Sequence, residues 1–380
     1  MRIIVFANSV YTNTLTGGDR IFAESVKQWL KWGHKVQIVT NEAGREFCIQ
    51  TGLPKSVLTL WPTSWADKCG VFFSMFLKAF ACFFYGLFFN PGDVDAVFAS
   101  SFFTPDTIPA FLLKLRRANL KITTASYLFS SKKWGIDYSG GRLKGLFFYL
   151  NQEIAFALTR KFEASIVTAS AFDRDKLIEF ERFPGRKILA IRGGVDNQFF
   201  VSVPEQPVDY DAVFVGRLHP QKCVNELIEI WGRVVQRRPK SKLVIVGTGA
   251  EENNLKFLVK HKNLSTNILF VGSKDGILKA KIIKSALIFV SASRFDSGNI
   301  ALDEALSCGV PGVIYDLPHL EYPGGVIKVP VKNEQLFVEE ILSLLSNEGR
   351  RKRLADEALA FALKLDWNRK AKQLLNFLTI

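Results

Sequence analysis

Short runs of consecutive apolar residues alternate with longer helical patterns along this chain. The first run, residues 2–7, is followed by apolar positions at helical spacing from about Asp19 to Trp32, and then by a second predicted strand at residues 35–40. Uninterrupted apolar runs of this length are typical of strands that are buried on both faces of a parallel sheet. The beginning of the chain is therefore predicted to form a βαβ unit.

The same alternation continues in two series that are separated by a linker. Further strands are predicted at residues 95–100, 122–125 and 164–168 in the first series, and at 211–216, 242–247, 268–272, 287–291 and 312–315 in the second. The segment between Gly193 and Pro207 is punctuated by glycine and proline, as linkers are. The pattern predicts an α/β fold of two Rossmann-like, doubly wound domains that face each other across a cleft, with domains at residues 1–200 and 201–365.

The charge of the chain indicates a negatively charged partner. The formal net charge is +14, and the first 200 residues carry an excess of nine positive charges. An anionic membrane surface, a nucleotide-sugar or nucleic acid would fit such a charge. Nucleic acid is not expected, because the sequence contains no recognised nucleic-acid-binding module.

The cysteines point to a reducing compartment. The five cysteines are scattered and show no C-x-x-C spacing, so neither a zinc site nor a disulfide framework is predicted. Met1 runs directly into the first predicted strand without a secretory signal, which predicts a cytoplasmic location.

A strand, a loop of small residues and a helix follow one another between residues 286 and 311. The helix is predicted to end at Gly309 and Pro311. Backbone N–H groups at such a helix start can bind an anion. Two carboxylates, Asp296 and Glu304, flank this turn, so the region could hold both a diphosphate and neutral hydroxyl groups.

Two cations lie at another predicted strand end. Arg217 directly follows the strand at 211–216, and Lys222 lies five residues further on, near a helix start. A guanidinium fork and an ammonium point charge are suited to binding a diphosphate. Two solvated surface cations would be the simpler interpretation of this pair taken alone.

The spacing of these four residues resembles that of retaining, family-4-type glycosyltransferases of the GT-B fold. Asp296 and Glu304 form a D-x7-E version of that family's E-x7-E segment, and Arg217 and Lys222 match its R-x4-K pattern. The resemblance implies that Arg217 and Lys222 stabilise the leaving diphosphate, that Asp296 holds sugar hydroxyls, and that Glu304 holds the ribose. It also implies that the last segment, residues 366–380, forms a helix packed on the first domain. Further substrate-binding positions implied by the resemblance are Gly17, Gly18, Gly247, Gly249, Lys274, Gly298, Asn299 and Ile300.

The chain departs from the family pattern at four places near the expected site. Asp296 is one methylene shorter than glutamate, which places its carboxylate roughly 1.5 Å further back. Gly298-Asn299 stands where Phe-Gly often follows the first glutamate, and Cys223 stands where the family commonly has glycine. None of the four histidines follows the predicted strand at 122–125, where many members have one; Tyr127 or Ser126 would substitute there, or catalysis would proceed without that contact.

The expected activity is metal-independent transfer of a sugar from a nucleoside-diphosphate sugar, without a cofactor, to a lipid-linked or polysaccharide acceptor with retention of configuration. A catalytically impaired sugar-binding or scaffold subunit and a nucleotide-sugar epimerase are the alternatives. A location at the inner face of the membrane is consistent with the basic and aromatic stretches at 112–117, 132–134 and 142–148.

The stretch 71–89 is apolar on nearly every helical face, and Lys78 is its one charged residue. A buried core helix, an interfacial helix that docks on a membrane, and a membrane span are the three interpretations. The span is the least expected, because it would interrupt the first domain.

Overall fold

The computed structural model describes residues 1–10, 17–127, 142–294, 296 and 298–379, which form two compact units. The first unit comprises residues 1–193 together with the C-terminal residues from 367 onward, and the second comprises residues 194–366. The boundary thus lies a few residues before the predicted one at 200, because Val195, Phe200 and Val203 pack into the core of the second unit. The basic stretch 132–134 lies outside the described residues.

A parallel sheet with the strand order β3-β2-β1-β4-β5-β6-β7 forms the centre of the first unit. Its strands are β1 (Arg2–Ala7), β2 (Lys35–Thr40), β3 (Leu58–Leu60), β4 (Ala96–Ala99), β5 (Lys121–Ser126), β6 (Ser165–Thr168) and β7 (Ile188–Ala190). The helices described in this part of the chain are α1 (Gly17–Lys31), α2 (Glu42–Gln50), α3 (Gly70–Phe88), α4 (Thr104–Arg116), α5 (Arg142–Lys161) and α6 (Ala171–Glu179). The strand order reverses between β1 and β4.

The second unit is built around a parallel sheet with the strand order β10-β9-β8-β11-β12-β13. Its strands are β8 (Tyr210–Val215), β9 (Leu243–Val246), β10 (Ile268–Phe270), β11 (Ala286–Ser291), β12 (Gly312–Tyr315) and β13 (Val326–Val329). Its helices are α7 (Asn197–Ser202), α8 (Val224–Arg237), α9 (Glu252–His261), α10 (Gly276–Lys284), α11 (Ile300–Ser307), α12 (Glu334–Ser346) and α13 (Glu348–Ala362). Here the order reverses between β8 and β11.

The last helix, α14 (Trp367–Phe377), belongs to the first unit. The indole Nε1 of Trp29 on α1 donates a hydrogen bond to the carbonyl oxygen of Ala371 at 3.0 Å. Leu374 and Leu378 are buried in the core around β1 and α1. The last helix therefore belongs to the core of the first unit.

Helix α3 occupies the apolar stretch at 71–89, and it is not fully buried. One of its faces packs on α4, where Gly86 lies so close to Pro109 and Leu112 that an added Cβ would come within 3.2 Å of both side chains. The opposite face is exposed. In the described part of the chain, no helix has the length and apolarity needed to cross a bilayer.

Candidate functional site

The candidate site lies at the carboxyl edge of the second sheet, where its strand order reverses. Strands β8 and β11 are neighbours and run parallel, so the loops that follow them emerge side by side. Arg217 and Lys222 lie on the loop after β8, and Asp296 lies on the loop after β11. In doubly wound sheets, ligands bind in the crevice at such a reversal.

Lys222 and Asp296 form an ion pair that joins these two loops. The Lys222 Nζ lies 2.6 Å from Oδ2 of Asp296, and both side chains are largely buried. The other carboxylate oxygen, Oδ1, accepts the backbone N–H of Asn299 at 2.9 Å and that of Gly298 at 3.4 Å. The two motifs found in the sequence therefore meet in space, and Asp296 uses both of its oxygens inside the protein.

This environment keeps Asp296 ionised. Burial opposes the negative charge, but the Lys222 ammonium and the two backbone N–H groups outweigh burial and lower the pKa of Asp296 below its usual value. Lys222 is thus held in a fixed position by a partner that remains charged at neutral pH.

A second set of contacts ties the same loops together and was not predicted from the sequence. Ser293 Oγ donates to the carbonyl oxygen of Gln221 at 3.2 Å. Buried Glu226, in the first turn of α8, accepts hydrogen bonds from the Arg294 guanidinium and from the hydroxyl of Tyr315. No specific sequence signal indicates these contacts, because Glu226 has the pattern of an ordinary acidic residue at a helix start.

Arg217 is exposed on the same loop as Lys222, and this loop is supported by the predicted glycines of the neighbouring strand end. Gly247 has φ of +150°, and a Cβ there would lie 1.8 Å from the carbonyl oxygen of Gly216. A Cβ on Gly249 would lie 2.3 Å from the carbonyl oxygen of Leu218. Only glycine permits these approaches, so both glycines have a structural reason to be there.

The pKa of His219 reflects the positive charge of this loop. Burial, followed by the nearby Arg217 charge and a smaller effect of Lys222, lowers the pKa of His219, while Glu251 opposes the shift. The imidazole is therefore neutral at pH 7, and the net positive field around it comes from Arg217 and Lys222.

The backbone conformation at Cys223 explains why the family pattern has glycine at this position. Its φ of 47° and ψ of 41° lie in the left-handed region, which costs energy for any residue with a Cβ. The Cys223 thiol donates to the carbonyl oxygen of Pro220 at 3.4 Å. The chain therefore keeps the tight turn after Lys222 without its usual glycine.

Glu304 lies on α11 and is engaged in a buried ion pair. Its Oε1 lies 2.8 Å from Nζ of Lys279, which also lies 3.0 Å from Oδ1 of Asp275. Both Glu304 and Lys279 are buried. Lys279 was not predicted as a site residue, because the i,i+4 pair that it forms with Asp275 resembles a common surface pair on a helix.

The other predicted positions of the second unit lie around the start of α11 and at the end of β10. Asn299 caps the helix by accepting the backbone N–H of Leu302 at 3.2 Å, and Ile300 is the first helical residue. Among the described residues, no atom lies within 4 Å of a Cβ placed on Gly298, so this backbone is open on that side. Lys274 follows β10 and is half-buried; among the described residues, no contact joins it to the Lys222–Asp296 pair.

In the first unit, the structure brings Gly18 and Tyr127 together. A Cβ on Gly18, in the first turn of α1, would lie 2.5 Å from Cδ2 of Tyr127. The Tyr127 hydroxyl is buried and finds no hydrogen-bond partner among the described residues. Burial and the charge of Asp19 raise the pKa of Tyr127, so its hydroxyl stays protonated. Gly17 is the first residue of α1.

The comparison with protein families concerns the second unit. Residues 196–360 match the family model described as "Glycosyl transferases group 1". This segment is similar to group 1 glycosyltransferase domains. It contains the loop that carries Arg217 and Lys222, the ion pair between Lys222 and Asp296, and the buried Glu304.

Glycosyltransferases of other organisms match part of this chain in sequence. An uncharacterized glycosyltransferase of Methanocaldococcus jannaschii is 25% identical over 229 residues, which are 56% of this chain and 58% of that protein. A poly(glycerol-phosphate) alpha-glucosyltransferase of Bacillus subtilis is 25% identical over 170 residues, which are 43% of this chain and 24% of that protein. The chain thus spans less than two thirds of the length of either relative.

A solved structure shares the architecture over the full length. The crystal structure of Anabaena HepE in complex with UDP and glucose aligns with 100% of this chain and 99% of its own chain, with a TM-score of 0.75 and 14% identity. At that identity the likeness shows the fold alone. It is the two-domain GT-B fold of two Rossmann-like domains, as predicted.

Proposed function

We propose that this protein is a retaining, metal-independent glycosyltransferase that moves a sugar from a nucleoside-diphosphate sugar to a lipid-linked or polysaccharide acceptor. The observation that carries the proposal is the Lys222–Asp296 ion pair at the strand-order reversal, on a loop that also carries the exposed Arg217. The Lys222 ammonium, which is held in place, and the exposed Arg217 guanidinium follow the same strand and are suited to binding a diphosphate. The group 1 domain and its glycosyltransferase relatives support the same reaction class.

In the proposed reaction, the bond between the anomeric carbon and the diphosphate oxygen breaks, and negative charge grows on the leaving diphosphate. Arg217 and Lys222 stabilise that charge. The acceptor hydroxyl attacks on the face from which the diphosphate departs, and its proton passes to a phosphate oxygen of the leaving group. This route, inferred from the resemblance, needs no protein side chain as the base.

The contacts of Asp296 assign it a narrower role than the sequence suggested. Because Oδ2 binds Lys222 and Oδ1 accepts two backbone N–H groups, its first role in the proposal is to hold Lys222 and the start of α11 in place. Hydroxyls of the donor sugar would then meet the open backbone around Gly298. In the proposal, Glu304, which lies 2.8 Å from Lys279, holds the ribose, as the resemblance implies.

The acceptor class rests on the relatives. One is a poly(glycerol-phosphate) alpha-glucosyltransferase, and another, of Escherichia coli, is an O-antigen chain mannosyltransferase B. We infer from these names that the acceptor is a growing polymer or a lipid-linked glycan, which the first unit would bind near Gly18 and Tyr127.

The proposal is tested by incubating the purified protein with UDP- and GDP-sugars and glycan acceptors. Transfer, with the anomeric configuration of donor and product compared by NMR, is the expected result. A thermal shift by one donor identifies the base, since a ligand of the native state raises its apparent stability. Activity that survives a chelator supports metal independence. Donor binding without transfer to any acceptor would instead favour a sugar-binding scaffold, and product formed without acceptor would favour an epimerase.

A further inference from the structure

Helix α3 presents an uninterrupted apolar face to solvent. At 100° per residue, the most exposed of the described side chains fall on one stripe of phenylalanine and leucine, and Tyr85, 36% exposed, lies outside it. The six phenylalanines of this stripe, named here the aromatic stripe, are Phe73, Phe76, Phe80, Phe83, Phe84 and Phe88. No polar residue interrupts it.

The charged residue of α3 is buried and its phenylalanines are exposed, which is the opposite of the arrangement on an ordinary surface helix. Lys78 is the only charged residue of α3, yet its side chain is 1% exposed and pairs with Asp67 at 2.7 Å. Phe88 is 84% exposed, Phe73 68% and Phe76 65%. A water-facing helix normally places charges outside and rings inside, so this arrangement indicates that the outer face meets an apolar environment.

The exposed area is larger than a soluble surface usually tolerates. With roughly 200 Å² for a fully exposed ring, the aromatic stripe exposes on the order of 700 Å². The largest patch on a typical monomer is about 300–600 Å² and is often functional. The rings also contact one another, since the centroids of Phe80 and Phe84 are 4.7 Å apart, so the stripe is preformed.

Cations flank both ends of the stripe. At the end of α3, Arg116 is exposed and its guanidinium donates to the carbonyl oxygens of Gly86 and Leu87 at 2.7 and 3.4 Å. At the beginning, Lys68 is exposed in the turn that leads into the helix. Its acidic neighbour Asp67 is engaged by the buried Lys78. Positive charge beside an apolar stripe is complementary to an anionic headgroup above acyl chains.

We propose that the aromatic stripe docks this protein on an anionic lipid bilayer, with α3 lying in the plane of the interface. A helix of this length spans about 28 Å along the surface, and its rings would enter the boundary between headgroups and acyl chains. A protein partner is less suited, because a protein interface places hydrogen-bonding residues among its aromatic ones, whereas all six residues of the stripe are phenylalanine. The inference goes beyond the proposed function, since vesicle binding requires neither donor nor acceptor.

The test is co-sedimentation of the full chain with vesicles of phosphatidylcholine, with and without phosphatidylglycerol. Wild-type protein is expected to bind the anionic vesicles more strongly, and to bind them less at higher salt. The variant Phe76→Ser/Phe80→Ser is expected to bind at least about tenfold more weakly, because two rings no longer leave water. Phe73→Ser/Phe88→Ser provides an independent second variant should the first fold poorly.

A matched control comes from two rings of similar exposure elsewhere on the chain. Phe180 is 55% and Phe257 is 71% exposed, close to the values of Phe80 and Phe76. Phe180→Ser/Phe257→Ser is expected to bind vesicles like the wild type. Equal binding by both double variants, or no vesicle binding by the wild type, would overturn the proposal. So would a dimer that becomes monomeric on Phe76→Ser/Phe80→Ser, which would make a second copy the occupant; any of these outcomes leaves the transferase proposal standing.

Discussion

The Lys222 ammonium lies 2.6 Å from the carboxylate of Asp296, a residue 74 positions later in the chain. This contact joins the two loops that leave the adjacent strands β8 and β11. A cation so fixed needs little reorganisation when charge develops on a bound diphosphate, which is the condition under which electrostatic stabilisation is most effective. The exposed Arg217, five residues earlier, has no such constraint.

Substituting either cation is expected to impair turnover while affecting stability differently. Lys222→Ala and Arg217→Ala should each lower kcat at least about 100-fold, the scale of losing one charge-stabilising donor. Lys222→Ala should also destabilise the fold, because Asp296 is left buried without its cation. Arg217→Ala should change the free energy of unfolding by no more than about 0.5 kcal/mol, since the side chain is exposed.

Lys281→Ala is the matched control for this prediction. Lys281 is an exposed lysine on α10 of the same unit, and its substitution should leave kcat and stability near those of the wild type. Steady-state kinetics and urea unfolding provide the two measurements. Near-normal turnover in both Arg217→Ala and Lys222→Ala would remove these cations from the mechanism.

The buried pair of Lys279 and Glu304 predicts a strong energetic coupling. Lys279→Met alone leaves the Glu304 carboxylate buried without its cation and should cost about 3–5 kcal/mol. Glu304→Gln should cost less, because Lys279 retains Asp275 at 3.0 Å. In Lys279→Met/Glu304→Gln neither charge remains, so the double variant should be more stable than the sum of the single effects predicts. Denaturant unfolding of the four proteins measures this, and additive effects would show that the pair is not coupled.

The left-handed conformation of Cys223 predicts a stabilising substitution. Cys223→Gly removes the Cβ that makes φ of 47° unfavourable. Glycine loses more backbone entropy on folding, which offsets part of this gain, so the free energy of unfolding is expected to rise by about 1 kcal/mol. The thiol contact with Pro220 is weak and subtracts little. Cys223→Ala, which keeps the Cβ and loses the thiol, is the control and should not be stabilised. A less stable Cys223→Gly would mean that the thiol contributes more than the backbone strain costs.

The core strands could be predicted because a strand buried on both faces leaves a continuous apolar run. The pattern located β1, β2 and the central strands of both sheets within a few residues. It missed β3, β7 and β13, which lie at sheet edges, are three or four residues long and are only partly buried. Their apolar signal is too short to distinguish from a loop.

The sequence predicts that the site residues follow the ends of strands, but it does not predict which of them come into contact. The sequence placed Arg217, Lys222 and Asp296 after strands, but their meeting depends on β8 lying beside β11, which is a long-range feature of the sheet order. Glu226 and Lys279 were missed for a related reason. On a helix, a charged residue that pairs inward has the same local pattern as one in solvent, and only the tertiary fold distinguishes them.

Asp106 predicts a specific dependence of stability on pH. Its carboxylate is buried at the start of α4 and accepts hydrogen bonds from the backbone N–H groups of Asn8 and Ser9 and from Ser101 Oγ. Burial outweighs these donors and raises the pKa of Asp106 to about 7. The unfolded chain releases this proton near pH 4, so between about pH 4 and 7 the folded state binds a proton that the unfolded state does not.

The contribution of Asp106 to stability is therefore fully present below about pH 4 and is lost as the pH rises to about 7, with a slope of at most about 1.4 kcal/mol per pH unit. Asp106→Asn keeps an oxygen for Asn8 and Ser9 but cannot titrate, so its stability relative to wild type should increase over this interval and then level off. Urea unfolding at a series of pH values measures the difference. Asp93→Asn, at an exposed aspartate, should run parallel to wild type. If Asp106→Asn also ran parallel, the three donors would be holding Asp106 ionised throughout.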